Sequence, residues 1–256
     1  MIDPRAVVDD RARLADDVVV GPFSVIGAEV EIGPGCVIGS HVVIKGPTRI
    51  GRDNRIFQFA SVGDAPQDKK YAGENTRLEI GERNTIREYA TINRGTVQDR
   101  GETRIGNDCL LMAYTHVAHD CVLGDNVIMS NAASLGGHVH IQDWAILSGF
   151  ALVHQFCQVG AHSFIGMNTA ITRDVPPYLL VAGNPAEPHG INSKGLARRG
   201  FSEQAQRTLK QAYRLLYKSG LKLEESRQAI AELAQGHSEL LCLSEFLQDS
   251  NRGIVR

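Results

Sequence analysis

The sequence predicts a mainly β fold with an α-helical end: a solenoid of hexapeptide repeats, then helices. Three observations carry that expectation. Aliphatic residues recur at every sixth position in two long runs, two polar stretches interrupt the period, and the patterning turns helical after residue 186.

The first run steps from Ile2 through Val8, Leu14, Val20, Ile26, Ile32, Ile38, Ile44, Ile50 and Ile56 to Val62. Glycine follows at Gly21, Gly27, Gly33, Gly39, Gly51 and Gly63. A period of six fits neither an α-helix nor a simple alternating strand. It fits one short flat strand and one corner per hexapeptide, with the aliphatic residue pointing inward. Stacked coils then lie about 4.8 Å apart. The pattern resembles the left-handed parallel β-helix, whose three-sided coils use 18 residues. The handedness is implied by that resemblance.

The period stops in "APQDKKYAGENT" and resumes at Ile80, Ile86 and Ile92. A second break, "NRGTVQDRGETR", precedes a run from Ile105 through Leu111, Val117, Leu123, Met129, Leu135, Ile141, Leu147, Val153, Val159 and Ile165 to Ile171. External loops are therefore expected at 63–79 and 93–104, on a solenoid domain spanning 1–186. Insertions in solenoids often build the binding face. The first loop is rich in functional groups, with Gln67, Asp68, Lys69, Lys70 and Tyr71.

The prolines of "DVPPYLLVAGNPA" end the regular stacking, and 187–256 reads as a helical domain. Ser202 is placed to cap a helix running to about Lys218, with Gly220 beyond it. A second helix runs from about Leu223 to Gln235, stopped by Gly236, and Ser238 is placed to cap a third. Arg207, Lys210, Arg214 and Lys218 share one face of the first helix. Ala205, Leu209, Ala212 and Leu216 lie on other faces, available for packing. Residues 187–256 carry 11 Lys/Arg against 8 Asp/Glu, while 1–186 carry 16 against 21. The basic stripe is thus either a docking surface for an acidic partner or a solvated helix face.

The formal net charge of −2 supplies no basic field for nucleic acid. Five cysteines without a paired framework read as reduced thiols, as in the cytoplasm. No signal peptide opens the chain, and no apolar run approaches the ~20 residues that span a bilayer, so no stable membrane insertion is expected.

With 18 residues per coil, Gly137 falls over His119 and Gln155 over Gly137. His138 falls over Asp120, and His154 over Gly136. His119, His138, His154 and Gln155 form one polar column. Three chemistries use such groups. His116 and His119 offer imidazoles to a metal, but no Cys or Glu ligand set accompanies them. Ser134 or Cys121 is a candidate nucleophile, without the context of a nucleophile elbow. Finally, His119 suits general-base removal of a hydroxyl proton near neutral pH.

"HVAHDC", "LGGHVHI", "LVHQFCQVGAHS", "QDKKYAGENTRLEIG" and "NSKGLARRGFS" closely resemble the bacterial UDP-N-acetylglucosamine acyltransferases, which perform the first acyl transfer of lipid A biosynthesis. The resemblance runs over nearly the whole chain. It implies a homotrimer with clefts between adjacent tubes, no cofactor and no metal. It also implies a 3-hydroxyacyl donor on acyl carrier protein and UDP-N-acetylglucosamine as acceptor through its 3-hydroxyl. By motif, His119 is the general base and the Gly137 N–H is the oxyanion donor. Asp120 supports the site, although strand neighbours face opposite ways and a direct His119–Asp120 bond is not expected. Gln67, Asp68 and Lys70 contact the sugar nucleotide, and His116, His138, His154 and Gln155 line the cleft. Asn192, Arg198 and Arg199 hold uridine and phosphates. Met167 falls at the acyl-chain ruler. One departure stands out: the family's "TIHRGT" is "TINRGT" here, which puts Asn93 at a histidine position near the sugar nucleotide. The alternative reading is a same-fold N-acyltransferase acting on a UDP-3-amino sugar.

Overall fold

The computed structural model describes residues 1–250 and 252–256. Among them, short parallel strands wind into three sheets of nine, eight and ten strands. Every third strand along the chain falls in the same sheet, so each coil contributes one strand to each face. Uninterrupted coils pair residues 18 apart, as Val7 pairs with Val25 and Ile141 with Val159. The result is a three-sided tube.

The aliphatic period fills its interior. From Val20 to Val62, and again from Ile105 to Ile171, every sixth residue is at most 3% exposed. Each contributes roughly 1.5–3 kcal/mol by burial. Ile2 is half exposed, because it belongs to the terminal coil and has a neighbouring coil on one side only.

Corners, not strands, give the surface its shape. Non-glycine residues at the corners adopt left-handed backbone angles, among them Asp120 (φ 59°), His138 (φ 61°) and Phe156 (φ 64°) in one column. Such angles disfavour bulky side chains, and here stacking between successive coils offsets the cost. At a second corner Phe23, His41, Phe59, Tyr89 and Tyr114 form a continuous ladder with ring centroids 4.8–5.2 Å apart.

The two breaks leave the tube and return to it. Ser61 pairs with Thr91 across the first, and Thr91 with His116 across the second. Strands Ser61–Asp64 and Arg77–Ile80 reach into the expected 63–79 loop and leave 65–76 outside the sheets. Strands Thr91–Asn93 and Glu102–Ile105 likewise leave 94–101 outside.

At the far end, Leu179–Ala182 continues the stack and Glu187–Ile191 turns back antiparallel beside it. Residues 187–191 are therefore strand, where the sequence suggested the start of a helical region. Pro188 and Gly190 (φ 142°) are poor helix residues and suit this edge. Four helices follow among the described residues: α1 (Ser193–Arg198), α2 (Glu203–Tyr217), α3 (Leu223–Ala234) and α4 (Leu241–Asp249). Ser202 caps α2 by accepting from the Ala205 N–H at 3.1 Å. Ser238 does not cap; it lies inside a 3₁₀ turn, Ser238–Leu240, that begins one residue after His237. Leu209, Ala212 and Leu216 of α2 pack with Leu196, Ile230, Leu243 and Leu247 in a second core, and Ala205 is only partly buried. The opposite face exposes Arg207, Lys210, Arg214 and Lys218. Among the described residues no helix is long and apolar enough to cross a membrane.

Candidate active site

The strand His116–Val117 runs into a corner at Asp120. Alternation of side chains holds only for extended backbone. At this left-handed corner the Asp120 carboxylate swings beside its neighbour, and His119 Nδ1 lies 2.8 Å from Asp120 Oδ2. The direct bond that strand geometry argued against is therefore present. A carboxylate only accepts, so Nδ1 is the donor and Nε2 keeps its lone pair.

Asp120 is fully buried. Its two oxygens accept from the Thr96 N–H at 2.8 Å and the Thr96 hydroxyl at 2.6 Å. Burial works to raise its pKa, but the bonds from His119 and Thr96 outweigh it. The carboxyl is held below its ordinary range. The dyad is thus a buried anion beside a partly exposed imidazole.

Gly137 lies on the next coil, where the His138 N–H donates to the His119 carbonyl at 3.0 Å. A Cβ on Gly137 would stand 2.5 Å from His119 Cε1 and 2.7 Å from Nε2, so any larger residue would displace the ring from this position. Among the described residues the Gly137 N–H meets no acceptor. His138 stands edge-on to His119 at 5.0 Å and stacks on Phe156 at 4.3 Å. Its Nδ1 lies 2.9 Å from Asp99 Oδ2.

His119, His138, Asp99 and Phe156 open onto a cleft of about 650 Å³. Gln67, Asp68 and Lys70 reach it from the first loop, and Gln98 and Asp99 from the second. His119, His138, Gln155 and Phe156 supply the tube side. A cleft of about 690 Å³ on another face is lined by Arg13, Glu31, Arg49, Arg77 and Glu79, in which Arg13 pairs with Glu31 and Arg77 with Glu79. It holds no histidine, and the chemistry belongs to the smaller one.

The first loop is fastened from below. Arg94 donates to the Tyr71 hydroxyl and to the Gly63 carbonyl, both at 2.9 Å, with its guanidinium over the Tyr71 ring. Asn93 is buried, and its side-chain amide donates to the Ala65 carbonyl at 2.9 Å. The departure at Asn93 therefore falls on the root of the loop, outside the cleft lining.

Several residues singled out from the sequence lie elsewhere. His116 bonds the Thr91 hydroxyl at 2.7 Å, and burial, with the nearby His119, pushes its pKa down. His154 is exposed, and its Nδ1 faces the Gln155 carbonyl at 3.1 Å. Asn192 caps α1 and donates to the His162 carbonyl at 2.9 Å. Arg199 lies over the Trp144 ring, 3.3 Å from His162 Nδ1, and Arg198 is exposed. Met167 is 73% exposed.

Two alternatives lose ground here. Cys121 is fully buried, with its thiol pushed up to about 12 by burial. The Ser134 hydroxyl donates to the Ala132 carbonyl at 3.2 Å. Neither has a base. The nitrogen and oxygen atoms of His119, Asp120 and His138 gather within 4.8 Å of one another. Asp120 Oδ2 already accepts from both Thr96 and His119, so an ion there would have to displace the dyad's own proton.

Thr96, Gln98, Asp99 and Phe156 escaped the sequence reading. Phe156 is one coil above His138 and was within reach of the 18-residue step. Thr96 was not: it contacts Asp120 across 24 residues, because the second break lengthens that coil.

Residues 174–255 match the family described as UDP N-acetylglucosamine O-acyltransferase, domain 2, and residues 11–46 and 102–137 match the bacterial transferase hexapeptide family. The acyl-[acyl-carrier-protein]--UDP-N-acetylglucosamine O-acyltransferase of Stutzerimonas stutzeri is 57% identical over 100% of this chain and 99% of its own. The solved UDP-N-acetylglucosamine acyltransferase of Francisella novicida is 44% identical with a TM-score of 0.99, over 100% of this chain and 94% of that one. The Moraxella catarrhalis O-acyltransferase structure is also 44% identical, with a TM-score of 0.98 over 100% and 99%. The fold is accordingly the left-handed parallel β-helix with a helical end. With relatives matched from end to end, this chain belongs to the acyl-[acyl-carrier-protein]--UDP-N-acetylglucosamine O-acyltransferase family.

Proposed function

We infer that the protein transfers a 3-hydroxyacyl group from acyl carrier protein to the 3-hydroxyl of UDP-N-acetylglucosamine, the first step of lipid A biosynthesis. Its relatives are O-acyltransferases of this name. The observation that carries the chemistry is the His119–Asp120 dyad beneath Gly137, with His119 in one cleft with Asp68 and Lys70.

His119 Nε2 removes the proton of the sugar hydroxyl as its oxygen attacks the thioester carbonyl carbon. The Gly137 N–H donates to the oxyanion that forms. Asp120 offsets the imidazolium charge. Collapse of the intermediate breaks the carbon–sulfur bond, and the departing thiolate takes the proton from His119. Gln67, Asp68 and Lys70 hold the sugar nucleotide, with His138 and Gln155 on the opposite wall and His116 and His154 flanking it.

Asn192 and Arg199 sit by a different corner of the tube, the column of Trp144 and His162. With Arg198 they meet uridine and phosphates in a cleft completed by a neighbouring tube, as a homotrimer provides. The aromatic ladder from Phe23 to Tyr114 supports this, because its members Phe23, Phe59, Tyr89 and Tyr114 are 44–60% exposed in the single chain. Met167 limits the acyl chain to roughly ten to twelve carbons, the burial increment per CH₂ setting the sharpness of the limit. The reaction takes place in the cytoplasm.

The test is incubation with UDP-N-acetylglucosamine, its 3-amino analogue and a panel of 3-hydroxyacyl carrier proteins, with the products read by mass spectrometry. Ester formation at the sugar 3-position is expected. Transfer to the amino sugar alone would overturn the reading.

A further inference from the structure

We propose that the second external loop positions the catalytic dyad, and that Thr96 is the residue that fixes which nitrogen of His119 faces the substrate. The proposal rests on His119 as the base. Thr96 makes two hydrogen bonds to one carboxylate: its N–H to Asp120 Oδ1 at 2.8 Å, its hydroxyl to Oδ2 at 2.6 Å. The Asp120 N–H in turn donates to the Thr103 hydroxyl at 2.8 Å, where the loop rejoins the tube. Thr96, Thr103 and Asp120 are each at most 1% exposed, so water does not replace these bonds.

The consequence follows from counting donors. Two Thr96 bonds forbid rotation of the carboxylate, and Oδ2 is presented to His119 Nδ1 at 2.8 Å. A neutral imidazole carries one proton, and this contact places it on Nδ1. Nε2 is then the bare nitrogen, on the side of the ring that Gly137 covers. Without the hydroxyl, the loop holds the carboxylate by one backbone bond only, and Oδ2 is left with the His119 contact alone. The carboxylate can then turn, and the preference between the two tautomers weakens.

The same loop also reaches the second ring, through Asp99 to His138 Nδ1 at 2.9 Å. Its register is therefore tied to both histidines of the cleft. Thr96 touches no reacting atom, so it is a positioning residue and not a catalytic one.

The experiment compares the unmutated protein, Thr96→Val and Thr96→Ser by steady-state kinetics and by ¹⁵N NMR of the histidine side chains at about pH 9, where imidazoles are neutral. In the unmutated protein His119 should show a protonated Nδ1 and a bare Nε2. Thr96→Val should lower kcat roughly tenfold, the scale of one hydrogen bond to a charged group. KM for the sugar nucleotide should stay within about twofold, and the two nitrogen shifts should move toward each other. Thr96→Ser should restore both readouts. A protonated Nε2 in the unmutated protein overturns the proposal without any variant. So does a Thr96→Val protein with unchanged kcat and nitrogen shifts, or a Thr96→Ser protein as impaired as Thr96→Val. The tautomer needs no turnover to be read. Full activity in His119→Ala would remove the base assignment and leave the tautomer result standing, so the two failures are distinct.

Discussion

His119 became legible through simple arithmetic. Once a coil holds 18 residues, Gly137 must lie over it, and a Cβ added at Gly137 would stand 2.5 Å from its ring. Gly137→Ala should therefore push the imidazole off Asp120 while leaving the tube intact, since a side-chain ring yields more easily than backbone. We expect kcat to fall about a hundredfold or more, the scale of a disrupted oxyanion site, with an unchanged thermal unfolding profile. Near-parental kcat would show that the ring and the glycine are not coupled. The His119–Asp120 bond was not legible, because it depends on a backbone angle of 59° that no periodicity announces. His162 supplies a pH prediction. Burial and, after it, the Arg199 charge push its pKa down to about 4, from an ordinary value near 6.5. Between those values the unfolded chain binds a proton that the folded one refuses, so this contribution to stability falls as pH drops from 6.5 toward 4. Urea midpoints at pH 5 and 7.5 should differ less in His162→Phe than in the parent. An equal difference would place the titration elsewhere.

At the level of elements, a period of six named the aliphatic inward series of the tube, but neither the second buried series two residues before it, such as Cys121, Val127 and Ala133, nor how the breaks rejoin. The second loop contacts Asp120 across 24 residues and His138 across 39, spacings that no multiple of 18 yields. Thr96 and Asp99 were thereby hidden in a stretch read only as a loop. Helix α2 was legible because Ser202, the apolar face and the end near Gly220 agree. The short α1 was missed, since six residues give periodicity too little to work on. The basic stripe of α2 is real surface: Arg207 pairs with Glu203 at 3.0 Å, both exposed, and an exposed pair of this kind is worth little. Charge reversal at Arg207, Lys210 and Arg214 should raise KM for the acyl carrier protein donor at low salt and weaken its salt dependence. An unchanged donor KM would make the stripe an ordinary helix face.

For the whole molecule, one tube presents the dyad on one corner and Arg199 near another, and the proposed reaction needs a second copy of the chain to bring the two together. Met167 belongs to this scale. It lies 48 residues beyond His119, between two and three coils, or about 13 Å along the axis at ~4.8 Å per coil. Its exposed, unbranched side chain suits the blocking of an acyl groove. Met167→Gly should shift preference from donors of ten or twelve carbons toward fourteen, at unchanged His119 chemistry. A parent that prefers fourteen, or an unaltered ranking in the variant, would remove Met167 from that role. The central claim, however, is that the corner beneath Gly137 does the chemistry, and one number tests it: kcat for transfer to UDP-N-acetylglucosamine in His119→Ala at saturating substrates. The variant keeps every core contact of the tube, because the ring it loses faces the cleft. The account predicts a loss of ~10²–10⁴-fold with the assembly unchanged. Turnover within a fewfold of the parent would contradict it.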